Sequence, residues 1–406
     1  MSLHIQENTD NKVDNQDGVV ITLKEIFHPL IVKQLCPPIL SLLSEYSHVF
    51  SKNKYDLGKI RIESTRINLT SDSPVSQRAY RTSAAEEVEI NKQVKNLLAA
   101  GLIKESNSCY SSPVTLVYKR DEMKKTRLCI DYRKLNAICK TDTEPLPLID
   151  TLLDKLTHAK IFSTLDFASG YWHISLHEND KEKLAFVTSE GLCEFQDLPI
   201  GFRNSPAILN RTIRRILNKH KCSTFACHYF DDIVIFSNSL EKHYAHLEEI
   251  FKICEEENTK LKFSKCVFAK DKINILGYEI KEGCIIPENH NIESIQKLQP
   301  PKNVKQLQGF LCSVNFYNKL IDSYAKIRKP LNQLLKKDKQ WHWTAECQKA
   351  SELLKQIVEE ARKLAKKNAI KYHDKHKIKY DARFIDSPFK AGDIVMYEEF
   401  NDLNRR

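Results

Sequence analysis

The chain has 406 residues, 63 Lys and Arg against 53 Asp and Glu, a net charge of +10, and 41% hydrophobic residues. That length exceeds one ordinary core, so two or three compact units are expected, and the basic excess suits a polyanionic partner without proving one. No apolar run approaches about 18 residues, which excludes a transmembrane helix; the 12 cysteines contain no CxxC pair and follow no secretory leader, so they read as reduced thiols of an intracellular protein.

The first eighteen residues, "MSLHIQENTDNKVDNQDG", are polar enough to remain disordered. Order is clear at "SAAEEVEINKQVKNLLAAG", where Ser83 and Glu86 form a capping box, Ile90, Val94, Leu97 and Leu98 make one stripe, and Gly101 stands where a helix stops. Two strand-like runs, "SPVTLVYK" and "TRLCIDYR", flank the charged loop "RDEMKK", and a third, "KIFSTLDF", carries Asp166 near its end. "LAFVTS" and "GLCEFQDLP" make a hairpin around "EG". A helix over "SPAILNRTIRRILNKH" opens with Pro206 and turns Ile208, Leu209, Ile213, Ile216 and Leu217 to one side. Its Arg211, Arg214, Arg215 and Lys219 read equally well as a solvated face or as phosphate contacts. Then come "HYFDDIVIFS", a helix over "SLEKHYAHLEEIFKICEEEN", short strands in "KINILGYEI" and "GCIIP", and helices from about residue 289. Mixed rather than alternating strands and helices point to an α+β sheet with helices on one face.

"HYFDDIVIFS" sets two like charges, Asp231 and Asp232, between two greasy strands. A two-residue hairpin prefers Asn-Gly or Asp-Gly, so turn chemistry does not account for the pair. Exposed turn carboxylates would explain an isolated Asp-Asp. Asp166, ending another strand of the same sheet, changes that balance. Three carboxylates brought within a few ångströms repel unless cations neutralise them, and two Mg²⁺ ions there can activate a 3′-hydroxyl and stabilise pyrophosphate. His220, Cys222, Cys227 and His228 are the nearest thing to a zinc cluster, but Phe225, Cys227 and Tyr229 alternate as one strand face, which favours a strand over a metal site.

Over residues 45–358 the chain resembles the reverse transcriptase of gypsy-type long-terminal-repeat retrotransposons. The resemblance rests on consecutive blocks that include "FSKNKYDLG", "RLCIDYRKLN", "PLPLID", "FSTLDFASGYWHISL", "FVTSEGLCEFQDLPIGFRNSPAILNR", "YFDDIVIFS", "LGYEI" and "PPKNVKQLQGFL". It implies an RNA-directed DNA polymerase with a right-hand fold of fingers, palm and thumb on a ferredoxin-like palm sheet. It makes Asp166, Asp231 and Asp232 ligands of two Mg²⁺ ions, with Mn²⁺ as substitute. Lys119 and Arg127 become the grip on the incoming triphosphate, with Ile200 and Gly201 also facing the nucleotide, and Tyr171 the gate under its sugar. Leu276, Gly277, Tyr278 and Glu279 become the primer grip. For Asp131 and Arg133 a structural ion pair is favoured. The implied partners are an RNA or DNA template with primer and deoxynucleoside triphosphates, with no membrane. The implied setting is a cytoplasmic particle, with nuclear entry and dimerisation left open.

The same resemblance divides the chain into a disordered linker over 1–44, fingers and palm over 45–285, and a thumb over 286–320. A truncated connection toward RNase H follows over 321–358, then an integrase-like basic helix and partial barrel over 359–406, opening at "FKAGDIVMY". The missing RNase H and integrase cores read as an internally deleted or mis-spliced copy of a pol gene. Phe230 and Ile200 depart from the family's usual smaller aliphatic and Phe or Gln, and "RDEMKKTR" lacks its usual Gly and aromatic residue. The competing readings are a catalytically dead nucleic-acid binder and a co-opted structural protein. Asp166, Asp231, Asp232, Lys119, Arg127 and Tyr171 together favour the enzyme, since a binder has no need of all six.

Overall fold

The computed structural model describes residues 37–61, 64–119, 122–281, 284–336 and 340–360, with side chains left out over 119–125, and the backbone of two short paired strands, β1 (Lys12–Asp14) and β2 (Val20–Thr22). The chain divides into two compact units, Met1–Leu276 with Ile280–Glu282, and Gly277–Glu279 with Gly283–Arg406.

In the first unit, helix α1 (Pro37–Glu45) opens the described chain and buries Ile39 and Leu43. Residues 37–44, expected as linker, are therefore a packed helix, because "PPILSLLSE" places two aliphatic side chains four apart on one face. Helix α2 (Ala84–Ala99) has the expected capping box of Ser83 and Glu86; Ile90, Val94 and Leu97 are buried, Leu98 is only partly so, and Gly101 takes φ of 67°.

Strands β3 (Ile103–Glu105), β4 (Ser112–Lys119), β5 (Glu122–Ile130), β7 (Phe186–Val187) and β8 (Leu192–Phe195) form a sheet of order β3-β8-β7-β4-β5. Short helices α3 (Arg133–Ile138) and α4 (Ile149–Leu156) lead to strand β6 (Ile161–Asp166).

Helix α5 (Ser205–Lys219), strands β9 (Ala226–Tyr229) and β10 (Asp232–Ser237), helix α6 (Leu240–Glu256) and strand β11 (Val267–Lys270) complete a second sheet of order β11-β6-β10-β9. All its neighbours are antiparallel. Counted in chain order from β6, the strands stand fourth, first, third, second, with α5 and α6 as crossovers, which is the ferredoxin-like arrangement. Its core is apolar: Phe162, Leu165, Val234, Ile235 and Leu247 are fully enclosed. Phe50 meets Phe251 and Phe263 edge-on at centroid distances of 5.6 and 5.5 Å.

Strands β12 (Lys272–Ile275), β13 (Tyr278–Lys281) and β14 (Cys284–Pro287) form a three-stranded sheet in that order. In the second unit, helices α7 (Asn289–Gln296), α8 (Val304–Asn315), α9 (Tyr324–Gln333) and α10 (345–360) bury Leu307, Val314, Leu331, Leu354 and Val358. The integrase-like segment expected from 359 lies outside the described residues beyond 360. Among the described residues no helix is long and apolar enough to cross a membrane.

Candidate active site

Strand pairing brings the expected carboxylates together. In the register of β6 and β10, Asp166 stands opposite Asp232. Tyr229 pairs with Asp232 across the β9–β10 hairpin, so its turn consists of Phe230 and Asp231 alone. Only half of the Asp pair therefore sits in the bend. Phe230 takes φ of 52°, a left-handed conformation that strains a non-glycine residue and tends to be retained where function over-determines it. Its ring meets Tyr229 edge-on at 4.7 Å.

The electrostatics follow from this crowding. Burial first, then the charges of Asp166 and Asp232, push the Asp231 carboxyl up to about 6, with Lys265 opposing them. Asp232 is raised by burial and by Asp166. Asp231 Oδ1 is buried without a hydrogen-bond partner. Asp166 is neutralised by an ion pair in which Lys265 Nζ stands 2.7 Å from Oδ2. Lys265 escaped the sequence reading because it lies 99 residues from Asp166 and sits among other lysines in "KLKFSKC".

Tyr171 follows Asp166 on a short turn, Gly170–His173, entered through Ser169 at φ of 53°. Its ring is half-buried, and burial and then the Asp231 charge push its phenol up to about 12. A Cβ on Gly170 would lie 3.8 Å from Asp231 Cγ and 3.5 Å from Leu209. That is ordinary contact, so no close backbone approach depends on a glycine at 170.

Arg127 is exposed on β5, opposite Val117 of β4. Lys119 ends β4, and its side chain lies outside the described residues. Ile200 is 50% exposed, and Gly201 beside it needs its φ of 99°, with its carbonyl accepting a bond from Asn136 Nδ2 at 3.0 Å. Leu276 and Gly277, at φ of 51° and 74°, turn β12 into β13. Within the second unit Tyr278 donates to the Phe316 carbonyl at 2.8 Å and stacks on its ring, while Tyr317 donates to the Gly277 carbonyl at 3.2 Å.

Asp131 stands in an ion pair with Arg133. Arg133 grips it through Nε at 2.8 Å and Nη2 at 2.6 Å, and Tyr80 donates to it at 2.6 Å, holding its carboxyl well below the usual range. Three of the four basic side chains of α5 are paired with acids, and Arg215 is exposed. Arg211 pairs with Asp142 and Glu144, Arg214 with Glu144, and Lys219 with Glu257. Cys227 and His228 belong to a buried strand; His228 bonds Asn210 at 2.9 Å, and no cluster of three potential metal ligands, there or elsewhere, occurs among the described residues.

The three aspartates likewise stand as a paired site with a lysine rather than as a closed cage. They nonetheless fit a hard divalent cation. All the donors are carboxylate oxygens, one of them is buried and unpartnered, and an ammonium already compensates another.

Two solved structures share this architecture. One is the foamy viral protease-reverse transcriptase in complex with dsDNA, at a TM-score of 0.71 and 24% identity, covering 83% of this chain and 69% of that one. The other is the same enzyme in complex with an RNA/DNA hybrid, at 0.68 and 24%, covering 83% and 45%. The fold is that of a right-hand polymerase. Residues 117–280 match the family described as "Reverse transcriptase (RNA-dependent DNA polymerase)". The Pol polyproteins of the Drosophila melanogaster transposons 297 and opus are 37% identical over 67% of this chain and 33% over 72%, and a Tf2 polyprotein of Schizosaccharomyces pombe is 35% identical over 69%. Residues 117–280 belong to the reverse transcriptase family, and the chain carries the reverse transcriptase region of a long-terminal-repeat retrotransposon Pol polyprotein. It spans 26%, 30% and 21% of the length of those three relatives.

Proposed function

We propose that the chain is an RNA-directed DNA polymerase working inside the cell on a primed template with deoxynucleoside triphosphates. The observation that carries this reading is the register that sets Asp166 against Asp232, with the unpartnered Asp231 oxygen on the adjoining turn. Asp166, Asp231 and Asp232 would hold two Mg²⁺ ions. Bound there, the metal supplies Lewis-acid activation of the primer 3′-hydroxyl and charge stabilisation of departing pyrophosphate. Lys265, which pairs with that Asp166 oxygen, would have to yield it to such a cation.

Arg127 presents a forked guanidinium to the triphosphate, which suits bidentate grip on phosphate oxygens, and Lys119 adds a point charge from the paired strand. Tyr171 presents its ring beneath the sugar, and Ile200 and Gly201 border the nucleotide. Leu276 to Glu279 hold the primer strand. The first unit then supplies fingers and palm, and the helices from 289 the thumb and connection.

Replacing Asp231 or Asp166 by Asn tests the assignment. Extension is abolished while primer–template affinity stays within about tenfold, because phosphate neutralisation, not the carboxylates, carries binding. Wild-type extension by Asp231→Asn would refute the metal site.

A further inference from the structure

The side chain of Gln93 reaches both neighbours of Arg127. From helix α2 its Nε2 donates to Thr126 Oγ1 at 2.8 Å, and its Oε1 accepts from the Leu128 backbone N–H at 3.1 Å. A carboxamide can do both at once because it carries a donor and an acceptor on one rigid plane. Glu89, one helical turn earlier, steadies the arrangement: its Oε1 accepts from Gln93 Nε2 at 2.7 Å and from Thr126 Oγ1 at 2.7 Å. Those two bonds also lower the Glu89 carboxyl.

β5 is the outer strand of its sheet, so its outward N–H groups have no strand to bond, and Gln93 takes the place of one. Successive side chains of a strand point to opposite faces. Thr126 and Leu128 are partly buried, with Leu128 against the core, and Arg127 between them is exposed on the other face. The helix therefore grips the strand at the two residues that flank the arginine and leaves the arginine exposed.

We propose that Gln93, backed by Glu89, is a positioning residue that fixes the β5 backbone on both sides of Arg127 and so sets the direction in which the guanidinium meets the triphosphate. The proposal rests on the triphosphate grip assigned to Arg127 above. A bidentate contact is sensitive to direction as well as distance, so loosening its base weakens nucleotide binding before it affects chemistry or folding.

The test is steady-state primer extension by the full chain, varying deoxynucleotide concentration, with Gln93→Leu, Thr126→Val, Arg127→Ala and the Gln93→Leu/Arg127→Ala double variant. Gln93→Leu is expected to raise KM for the nucleotide about fivefold, with kcat within about twofold and a melting temperature within about 2 °C of wild type. Thr126→Val moves KM the same way by less. On the Arg127→Ala background Gln93→Leu adds nothing, because its effect runs through the arginine. A fall in melting temperature and kcat with unchanged KM overturns the proposal, as does multiplication of the two effects in the double variant. Wild-type KM in Arg127→Ala overturns the grip itself and takes this proposal with it, and that arm tells the two failures apart.

Discussion

Tyr171 lies half-buried beside the charge of Asp231, where a ring can border a nucleotide sugar or serve as ordinary packing. Tyr171→Val separates these roles. As a gate it excludes the 2′-hydroxyl by steric clash, so its loss raises ribonucleotide incorporation about tenfold or more, roughly 1.4 kcal/mol of discrimination, with modest loss of deoxynucleotide use. Equal losses for both substrates with a lower melting temperature would mark it as core. The carboxylates were legible because their oddity is local: two like charges between greasy strands break every rule of a short hairpin. Phe230 at positive φ and the lysine on Asp166 were not legible, since backbone strain and a partner 99 residues away leave no mark on the nearby sequence.

At the scale of elements, helix α5 shows what a sequence pattern conveys and what it omits. Its apolar stripe of Ile208, Leu209, Ile213, Ile216 and Leu217 is buried as the 3.6-residue period requires. Its Arg211 and Arg214 find acids 67 to 70 positions away, and Lys219 one 38 away, partners that only the tertiary fold supplies. Glu144 is only 7% exposed, so removing a cation from it leaves a charge that water cannot fully solvate. Arg211→Ala is expected to lower unfolding stability by about 1–3 kcal/mol in denaturant titration. The salt dependence of primer–template affinity stays unchanged, because this arginine is already occupied. Unchanged stability with a salt slope shallower by about one would instead make it a phosphate contact.

Across the first unit, His173, His228 and His243 are each pushed down to about 4, chiefly by burial. His243 sits between Ser163 and Ser237 at 2.7 and 2.9 Å, and His173 accepts from the Lys260 N–H at 3.1 Å. Their ordinary value is 6.5, so between 6.5 and 4 the unfolded chain binds more protons than the folded one, and stability rises with pH across that window. The stabilisation is fully present above 6.5 and is lost as pH falls, at about 1.4 kcal/mol per pH unit for each histidine. Chemical denaturation from pH 7.5 to 4.5 checks this, and a flat profile would contradict it. Templated DNA synthesis is checked by incubating the purified chain with oligo(dT) primer on poly(rA), deoxythymidine triphosphate and Mg²⁺. Stepwise primer extension that stops on chelation of the metal is expected. Firm binding of the primed template with no extension would contradict it and leave a nucleic-acid binder.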